Sequence, residues 1–455
     1  MKITKQATPT RFAAFFTASF CFCGIGTAFS APEQMWKFDF GPPPAAPDHV
    51  SVMPDMVYSA ERGYGFEPGA EVKIVPNLGT SANGLDVRRS DFVTSDKPFA
   101  FSVALPEGLY NVSLMFGGGE APSTTTVKAE ARRLMLEKVQ LKGDDFATRT
   151  FTVAVKRPQL KAGGMVGLKP DEQGHHDWDD RLTLEFSDAR PCVCALEITP
   201  VSDAVTVFIA GDSTVTDQKN EPWVGWGQML PRFFKTGVAV ANHAESGESL
   251  RSSMSARRLA KILELIKPGD YLFIQFGHND QKDKSPGAGP FTTYKANLKH
   301  YIAEARKKGA LPVLITSMER RRFDGDKPLQ TLADFAEAVR QTGKEENVPV
   351  IDLNAMSLKF YAALGPEKSL KAFVHYPANT FPEQAAELKD DTHFNAYGGY
   401  ELAKCVVEGI KTQLPALAKF LTDDAAPFDP SHPDAVEQWS LPVSPLSVTT
   451  KPEGN

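Results

Sequence analysis

From residue 205 onward the hydrophobic pattern alternates between two periods. Short runs of β-branched and aromatic residues at 205–210, 238–242, 271–276, 312–316 and 348–353 are separated by the stretches 255–266, 294–308 and 332–345. In those stretches Leu, Ala and Ile recur on one helical face and charges on the other. Apolar runs of strand length predict strands buried on both sides, and their alternation with helices predicts a parallel, doubly wound α/β sheet with helices on both faces. Trp226-Gly-Gln-Met-Leu, after the first strand, reads as a covering helix. The region is long enough for one well-buried core.

Before about Pro200 the period is two and helical periodicity is weak. Phe101-Ser-Val-Ala-Leu and Tyr110-Asn-Val-Ser-Leu-Met-Phe flank the turn-like Pro106-Glu-Gly, and Phe151-Thr-Val-Ala-Val, Arg181-Leu-Thr-Leu-Glu-Phe and Cys192-Val-Cys-Ala-Leu-Glu-Ile continue the alternation. Short strands with Gly, Pro and Asp turns predict an antiparallel sandwich. Lys37-Phe-Asp-Phe-Gly-Pro, Tyr58-Ser-Ala-Glu-Arg-Gly-Tyr-Gly-Phe and His176-Asp-Trp-Asp-Asp-Arg-Leu-Thr-Leu-Glu-Phe resemble the galactose-binding-like sandwich found ahead of secreted carbohydrate esterases. Tyr64, Phe66 and Trp178 read as exposed aromatics that either stack on sugar or fill turns and core. From about Pro415 periodicity fades and Pro and polar residues dominate. The chain thus divides into 1–30, a signal peptide; 31–200, the β-sandwich; 201–414, the α/β domain; and 415–455, an irregular surface-lying tail.

The signal-peptide reading rests on a basic start (Lys2, Lys5, Arg11), an apolar stretch from Phe12 to Ala28, and small residues before Ala31. It implies a secreted or periplasmic protein. Removing those three positive charges takes the net charge from −6 to −9, which argues against a general nucleic-acid partner. No later segment is long and apolar enough to span a bilayer. Cys192, Cys194 and Cys405 remain after cleavage, an odd number that cannot pair completely; they read as small buried hydrophobes, and no metal-ligand spacing of Cys and His appears.

Four segments place polar residues directly after a predicted strand or before the last helix: Gly211-Asp-Ser213, Asn242-His-Ala-Glu-Ser-Gly247, Gln275-Phe-Gly-His-Asn279-Asp, and Asp390-Asp391-Thr392-His393. Each segment read alone is a turn or a helix cap. Together they supply acyl transfer. Ser213 needs a base to take its proton, His393 serves near neutral pH, and a carboxylate must hold the imidazole in one tautomer. Asp390 reaches His393 if the two share a helical turn or tight loop, with Asp391 the competing carboxylate. Backbone N–H groups of Ser213 and Gly247 and the Asn279 amide would form an oxyanion hole. Gly211 is read as permitting a sharp exit from the strand. Asp212 reads as ordering the turn, and His243 and His278 as structural neighbours.

These blocks resemble the SGNH, or GDSL, hydrolases. FIAGDSTVTDQ, WGQML, NHAESGESLRSS, QFGHNDQKD, TSMERRRFD and DDTHFNAYGGYELAK resemble the rhamnogalacturonan acetylesterases, family 12 of the carbohydrate esterases, across most of 205–412. The resemblance implies a flavodoxin-like three-layer fold, a serine esterase without metal or cofactor, Asp390 rather than Asp391 as the acid, and an acetylated polysaccharide or oligosaccharide as substrate. The order differs from an α/β-hydrolase, since Val215 replaces the second Gly of G-x-S-x-G. Arg320, Arg321 and Arg322 follow the fourth predicted strand, as a solvated charge run or as ligands of galacturonate carboxylates. Two other functions stay open: a different SGNH activity (acetylxylan esterase, lipase or thioesterase), or a carbohydrate-binding protein with a dead esterase site.

Overall fold

Period-two alternation places the first α/β strand between two cores. In a computed structural model Val205–Gly211 (β1) directs Val207 and Ile209 into one apolar layer and Phe208 and Ala210 into the other. Parallel partners complete the sheet: Val238–Asn242 (β2), Tyr271–Gln275 (β3), Leu311–Ile315 (β4) and Val350–Ile351 (β5), in the order β2-β1-β3-β4-β5. That is the flavodoxin-like order, whose switch point lies beside β1. Trp226–Met229, Leu353–Lys368 and Ala396–Gln413 cover one face; Arg258–Leu265, Lys295–Lys307 and Ala333–Glu346 cover the other. The structure describes Met1 and residues 35–77, 86–119, 121–143, 145–445, 448 and 450–453. Apart from Met1, the expected signal segment, with Cys21 and Cys23, lies outside the described residues.

Ahead of this sheet stands an all-β domain. Phe146–Val155, Gly108–Gly117, Ala195–Pro200, Trp36–Asp39 and Val50–Ser51 form one sheet; Tyr64–Phe66, Phe99–Ala104, Arg181–Ser187, Ser123–Ala129 and Arg133–Leu141 form a second. Between them lies a core of Phe38, Phe66, Phe101, Val112, Leu114, Val127, Leu184 and Phe186. Of the two readings of Tyr64, Phe66 and Trp178, sugar stacking or core and turn packing, their contacts are packing. Phe66 packs edge-on against Phe99 and Phe101, and Tyr64 is half-buried with its ring 4.9 Å from that of Phe38. Trp178 is buried beneath Lys156 Nζ, 4.3 Å from the ring centroid, and beside the His243 ring. Cys192, Cys194 and Cys405 are free and buried.

Other expectations change in detail. Stretch 255–266 is two helices, Leu250–Ser255 and Arg258–Leu265, broken where Arg257 adopts φ +61°. Its charged face is not wholly solvated. Arg258 turns inward to Glu172 at 2.5 Å and Lys261 to Glu107 at 2.7 Å, both acids belonging to the β domain. The covering helix Trp226–Met229 is a single turn that tightens into the 3-10 turn Leu230–Phe233. The tail, after the short helix Pro415–Ala418, packs on the body. Trp439 lies 5.6 and 5.4 Å from the rings of Tyr397 and Tyr400, and Ser444 is buried.

Candidate active site

β1 ends at Gly211, beneath Val215. A Cβ on Gly211 would stand 2.8 Å from Val215 Cγ2 and 2.9 Å from Gln275 O, so the glycine is required for close approach rather than for an unusual φ. Asp212 Oδ1 then accepts from the backbone N–H and hydroxyl of Thr214, which folds the turn that carries Ser213. Asp212 Oδ2 meets His278 Nδ1 at 3.3 Å; burial pushes His278 down, toward the neutral ring that donates this bond.

His393 arrives from the other end of the domain. The block is expected to open the last helix, with Asp390 and His393 on a helical turn or in a tight loop. Both lie instead in the strand Leu388–Phe394, where Phe373 pairs with Phe394 but Val374 pairs with Asp390, a tight fold-back and not a helical turn. The bulge of 391–393 folds the chain back so that Asp390 Oδ1 accepts the N–H groups of Thr392 and His393. The helix proper starts three residues after His393, at Ala396, with Asn395 as its N-cap. Ser213 Oγ, His393 and Asp390 form one hydrogen-bonded line: Oγ to Nε2 is 2.8 Å and Nδ1 to Asp390 Oδ2 is 2.7 Å. Trp223 Nε1 also donates to Asp390 Oδ2, at 3.3 Å. Burial alone would raise the Asp390 carboxyl. The His393 hydrogen bond and charge and the two backbone N–H groups outweigh it and hold the carboxyl far below the usual carboxylate range. Asp391 has no contact with the His393 ring among those described. It accepts from His375 Nε2 at 2.9 Å and Arg321 Nη1 at 3.0 Å.

The loop after β2 carries Gly247. Asn242 anchors the loop by donating to Val215 O and Asp217 Oδ1, while its own Oδ1 accepts from Ala244 N. Gly247 has φ +76°, a conformation other residues adopt only with strain. Asn279 follows β3; one amide hydrogen is donated to Glu248 O at 3.0 Å, leaving the other for a ligand. Ser213 and His393 are each 1% exposed, whereas Gly247 and Asn279 are half-exposed at the rim.

The three arginines differ. Arg320 is largely buried and donates to Gln281 Oε1 and His278 O. Arg321 is spent on Ser369, Pro366 O and Asp391. Arg322, 60% exposed, makes one long contact with Asp391, at 3.4 Å.

Several residues around the site carry no one-dimensional signal. Lys156 Nζ reaches from the β domain to Asn242 O at 2.5 Å and to Asp177 at 2.8 Å. Arg133 lies 3.3 Å from Asp217. Glu245, two residues before Gly247, accepts from Ser246 N and from Lys219. Burial, and then the charge of nearby Glu172, push Glu245 up to about 7. Lys169 donates to Ser246 O at 2.5 Å, and Lys451 of the tail lies 3.2 Å from Asp390 Oδ1. Three of these contacts, Lys156 to Asn242 O, Arg133 to Asp217 and Lys169 to Ser246 O, join residues far apart in sequence and are made only where the two domains meet.

Residues 209–400 match the GDSL-like Lipase/Acylhydrolase family, and residues 36–168 match the beta-agarase/YXIM esterase-like, galactose-binding domain-like family. Rhamnogalacturonan acetylesterase RhgT of Bacillus subtilis is 45% identical over 210 residues, 46% of this chain and 90% of that protein. The uncharacterized esterase YxiM of Bacillus subtilis is 27% identical over 86% of this chain and 95% of its own. The crystal structure of YxiM, 26% identical, covers 83% of this chain and 98% of that one with a TM-score of 0.43. The chain belongs to the GDSL-like, or SGNH, lipase/acylhydrolase family: it is a serine ester hydrolase whose hydrolase domain follows a galactose-binding-like domain.

Proposed function

We propose that this chain is a carbohydrate O-acetylesterase, secreted or periplasmic, that removes acetyl groups from rhamnogalacturonan. Ser213 is the nucleophile, His393 its base, and Asp390 the carboxylate that orients the imidazole and stabilises its cation. The N–H groups of Ser213 and Gly247 and the Asn279 amide receive the oxyanion. The observation that carries this reading is the line Ser213–His393–Asp390, at 2.8 and 2.7 Å. The choice of acetate and of pectin is supported by the 45% identity with RhgT.

In the first half-reaction His393 Nε2 takes the Ser213 proton as Oγ attacks the acetyl carbonyl, and the carbonyl electron pair moves to oxygen. Collapse expels the sugar oxygen, which takes the proton back from His393. Water, deprotonated by the same nitrogen, then attacks the acyl-Ser213 and releases acetate. Asp390 stays ionised throughout, because its hydrogen bonds favour the charged form. Of the three arginines, Arg322 is the one whose exposure leaves it available to a galacturonate.

The test is acetate release from acetylated rhamnogalacturonan against acetylated xylan, with nitrophenyl acetate against nitrophenyl octanoate alongside. Faster release from rhamnogalacturonan and preference for the acetyl ester are expected. Faster release from xylan would make this an acetylxylan esterase, and preference for octanoate would remove the acetyl reading.

A further inference from the structure

We propose that Lys169, delivered by the β domain to the rim of the ester site, is the cation that binds a carboxylate of the substrate, and that the chain's own Glu453 holds that place in the unliganded enzyme. The proposal deepens the polyuronate reading above and rests on it.

The segment 167–172 leaves the sandwich and lies against the loop that carries Gly247. Lys169 N donates to Glu172 Oε2 at 2.8 Å, and Glu172 is tied to Arg258 at 2.5 Å, so the backbone that carries Lys169 is fixed from both domains. Its side chain reaches Ser246 O at 2.5 Å, and its ammonium would stand 2.9 Å from a Cβ on Gly247. A cation is therefore held within a few ångströms of the N–H proposed to receive the oxyanion. A sugar ring carrying the scissile acetyl group passes this point.

The partner of that cation is a carboxylate from the far end of the chain. Glu453 Oε2 lies 2.6 Å from Lys169 Nζ and 3.1 Å from the same Cβ position on Gly247. Two residues earlier, Lys451 Nζ lies 3.2 Å from Asp390 Oδ1. The end of the tail thus reaches from the acid of the hydrogen-bonded line, at Lys451, to Lys169 and Gly247, at Glu453. A substrate has to displace it. The Lys169–Glu453 pair is suited to exchange, because Glu453 is 69% exposed and such pairs contribute little. An incoming carboxylate trades one charge-assisted bond for another of the same kind.

Charge around the mouth agrees with an anionic ligand. Lys282 donates to Asn279 Oδ1 at 3.2 Å, and Arg320 lies beneath on His278 O. In a chain of net charge −6, these cations and Lys451 gather where the ester must enter. Lys282 and Lys451 take oxygens of the candidate constellation itself; Lys169 takes a displaceable carboxylate.

The test uses the full chain and a ligand that is not turned over. Inhibition of nitrophenyl acetate hydrolysis is measured with trigalacturonate and with its neutral methyl ester, for the parent, Lys169→Met, Lys169→Arg and Glu453→Gln. Trigalacturonate should inhibit the parent more strongly than the methyl ester. Lys169→Met should raise its inhibition constant about tenfold and close the gap, Lys169→Arg should restore most of it, and Glu453→Gln should lower the constant several-fold. Equal inhibition of the parent by acid and ester would overturn the proposal. So would an unchanged constant in Lys169→Met, or no tightening in Glu453→Gln. These outcomes are separate from acetate release, so a wrong polymer and a wrong carboxylate ligand are read in different measurements.

Discussion

The two sides of the ester site are built differently. On one side, Ser213, Gly247 and Asn279 each follow a strand of the same parallel sheet, and their positions are set by turns a few residues long. On the other side, Lys156, Lys169 and Glu172 come from the β domain and Lys451 from the tail, and they reach the site through single side chains. The first side carries three of the groups proposed for the chemistry, and the second packs against the loops that hold them. Local backbone geometry delivers reactive groups reproducibly, whereas long-range ion pairs adjust what surrounds them and depend on the packing of the whole chain.

The sharpest break is on the chemical side. Ser213→Ala should lower kcat by about three to six orders of magnitude while the melting temperature stays close to that of the parent, because nothing but the attacking oxygen is removed. Activity retained within tenfold would place the nucleophile elsewhere. Next, the two adjacent aspartates separate chemistry from support. Asp390→Asn should cost about 10³- to 10⁴-fold, since the amide favours the wrong imidazole tautomer. Asp391→Asn should cost far less, its carboxylate being engaged by His375 and Arg321. Equal losses would sink that assignment.

On the supporting side the effect moves from rate to stability. Lys156→Met leaves Asp177 buried without its 2.8 Å partner and frees Asn242 O. A loss of about 3 kcal/mol in unfolding free energy is expected, read from denaturant curves. A loss below about 0.5 kcal/mol would mean the domain junction tolerates an unpaired charge.

Burial pushes Asp280 and Glu401 up to about 7, and one part of the pH dependence follows from Glu245, pushed up to about 7 by burial and by the charge of Glu172. Between its ordinary value, about 4.3, and that raised value, the folded chain keeps a proton that the unfolded chain has released. Its contribution to stability is present at low pH, falls as pH rises through this window, and is gone above it. Glu245→Gln should therefore flatten the melting temperature between about pH 4.5 and 7 relative to the parent; parallel curves would exclude Glu245 as the titrating group. The smallest effect belongs to Arg322→Ala, whose exposed 3.4 Å pair contributes about 0–1 kcal/mol to stability. Its expected signature is a modest rise in KM for acetylated pectin with nitrophenyl acetate little changed.

What was legible in the sequence follows the same division. The five strands of the parallel sheet and the all-β character of the first domain are statements about period and local spacing. The GDS, Gly247 and Asn279 blocks each follow a strand of that sheet, while Asp390 and His393 lie in a separate two-stranded hairpin. Legibility ended where distance in sequence grew. The charged face of 255–266 pointed to solvent by its pattern, yet Arg258 and Lys261 are buried because acids more than eighty residues away receive them. For Phe66 and Trp178 the pattern could not separate sugar stacking from packing, because aromatics near glycines and aspartates suit both; Phe66 fills the sandwich core and Trp178 packs against His243 of the hydrolase domain. The Asp390–His393 spacing was visible, but not the bulge that achieves it, since a three-residue offset suits a helical turn equally well.

The ion pairs at the domain junction also bear on how the gene can be divided. Asp217, Asn242 O, Glu245, Arg258 and Lys261 all lie after residue 200, whereas Arg133, Lys156, Glu172 and Glu107, which face them, lie before it. A fragment starting at residue 201 would keep every group proposed for the chemistry and still present water with a face shaped for the interior of a larger protein. It would need new surface residues there before it could be expressed, stored or crystallised alone. For this chain the smallest practical unit of engineering is the pair of domains.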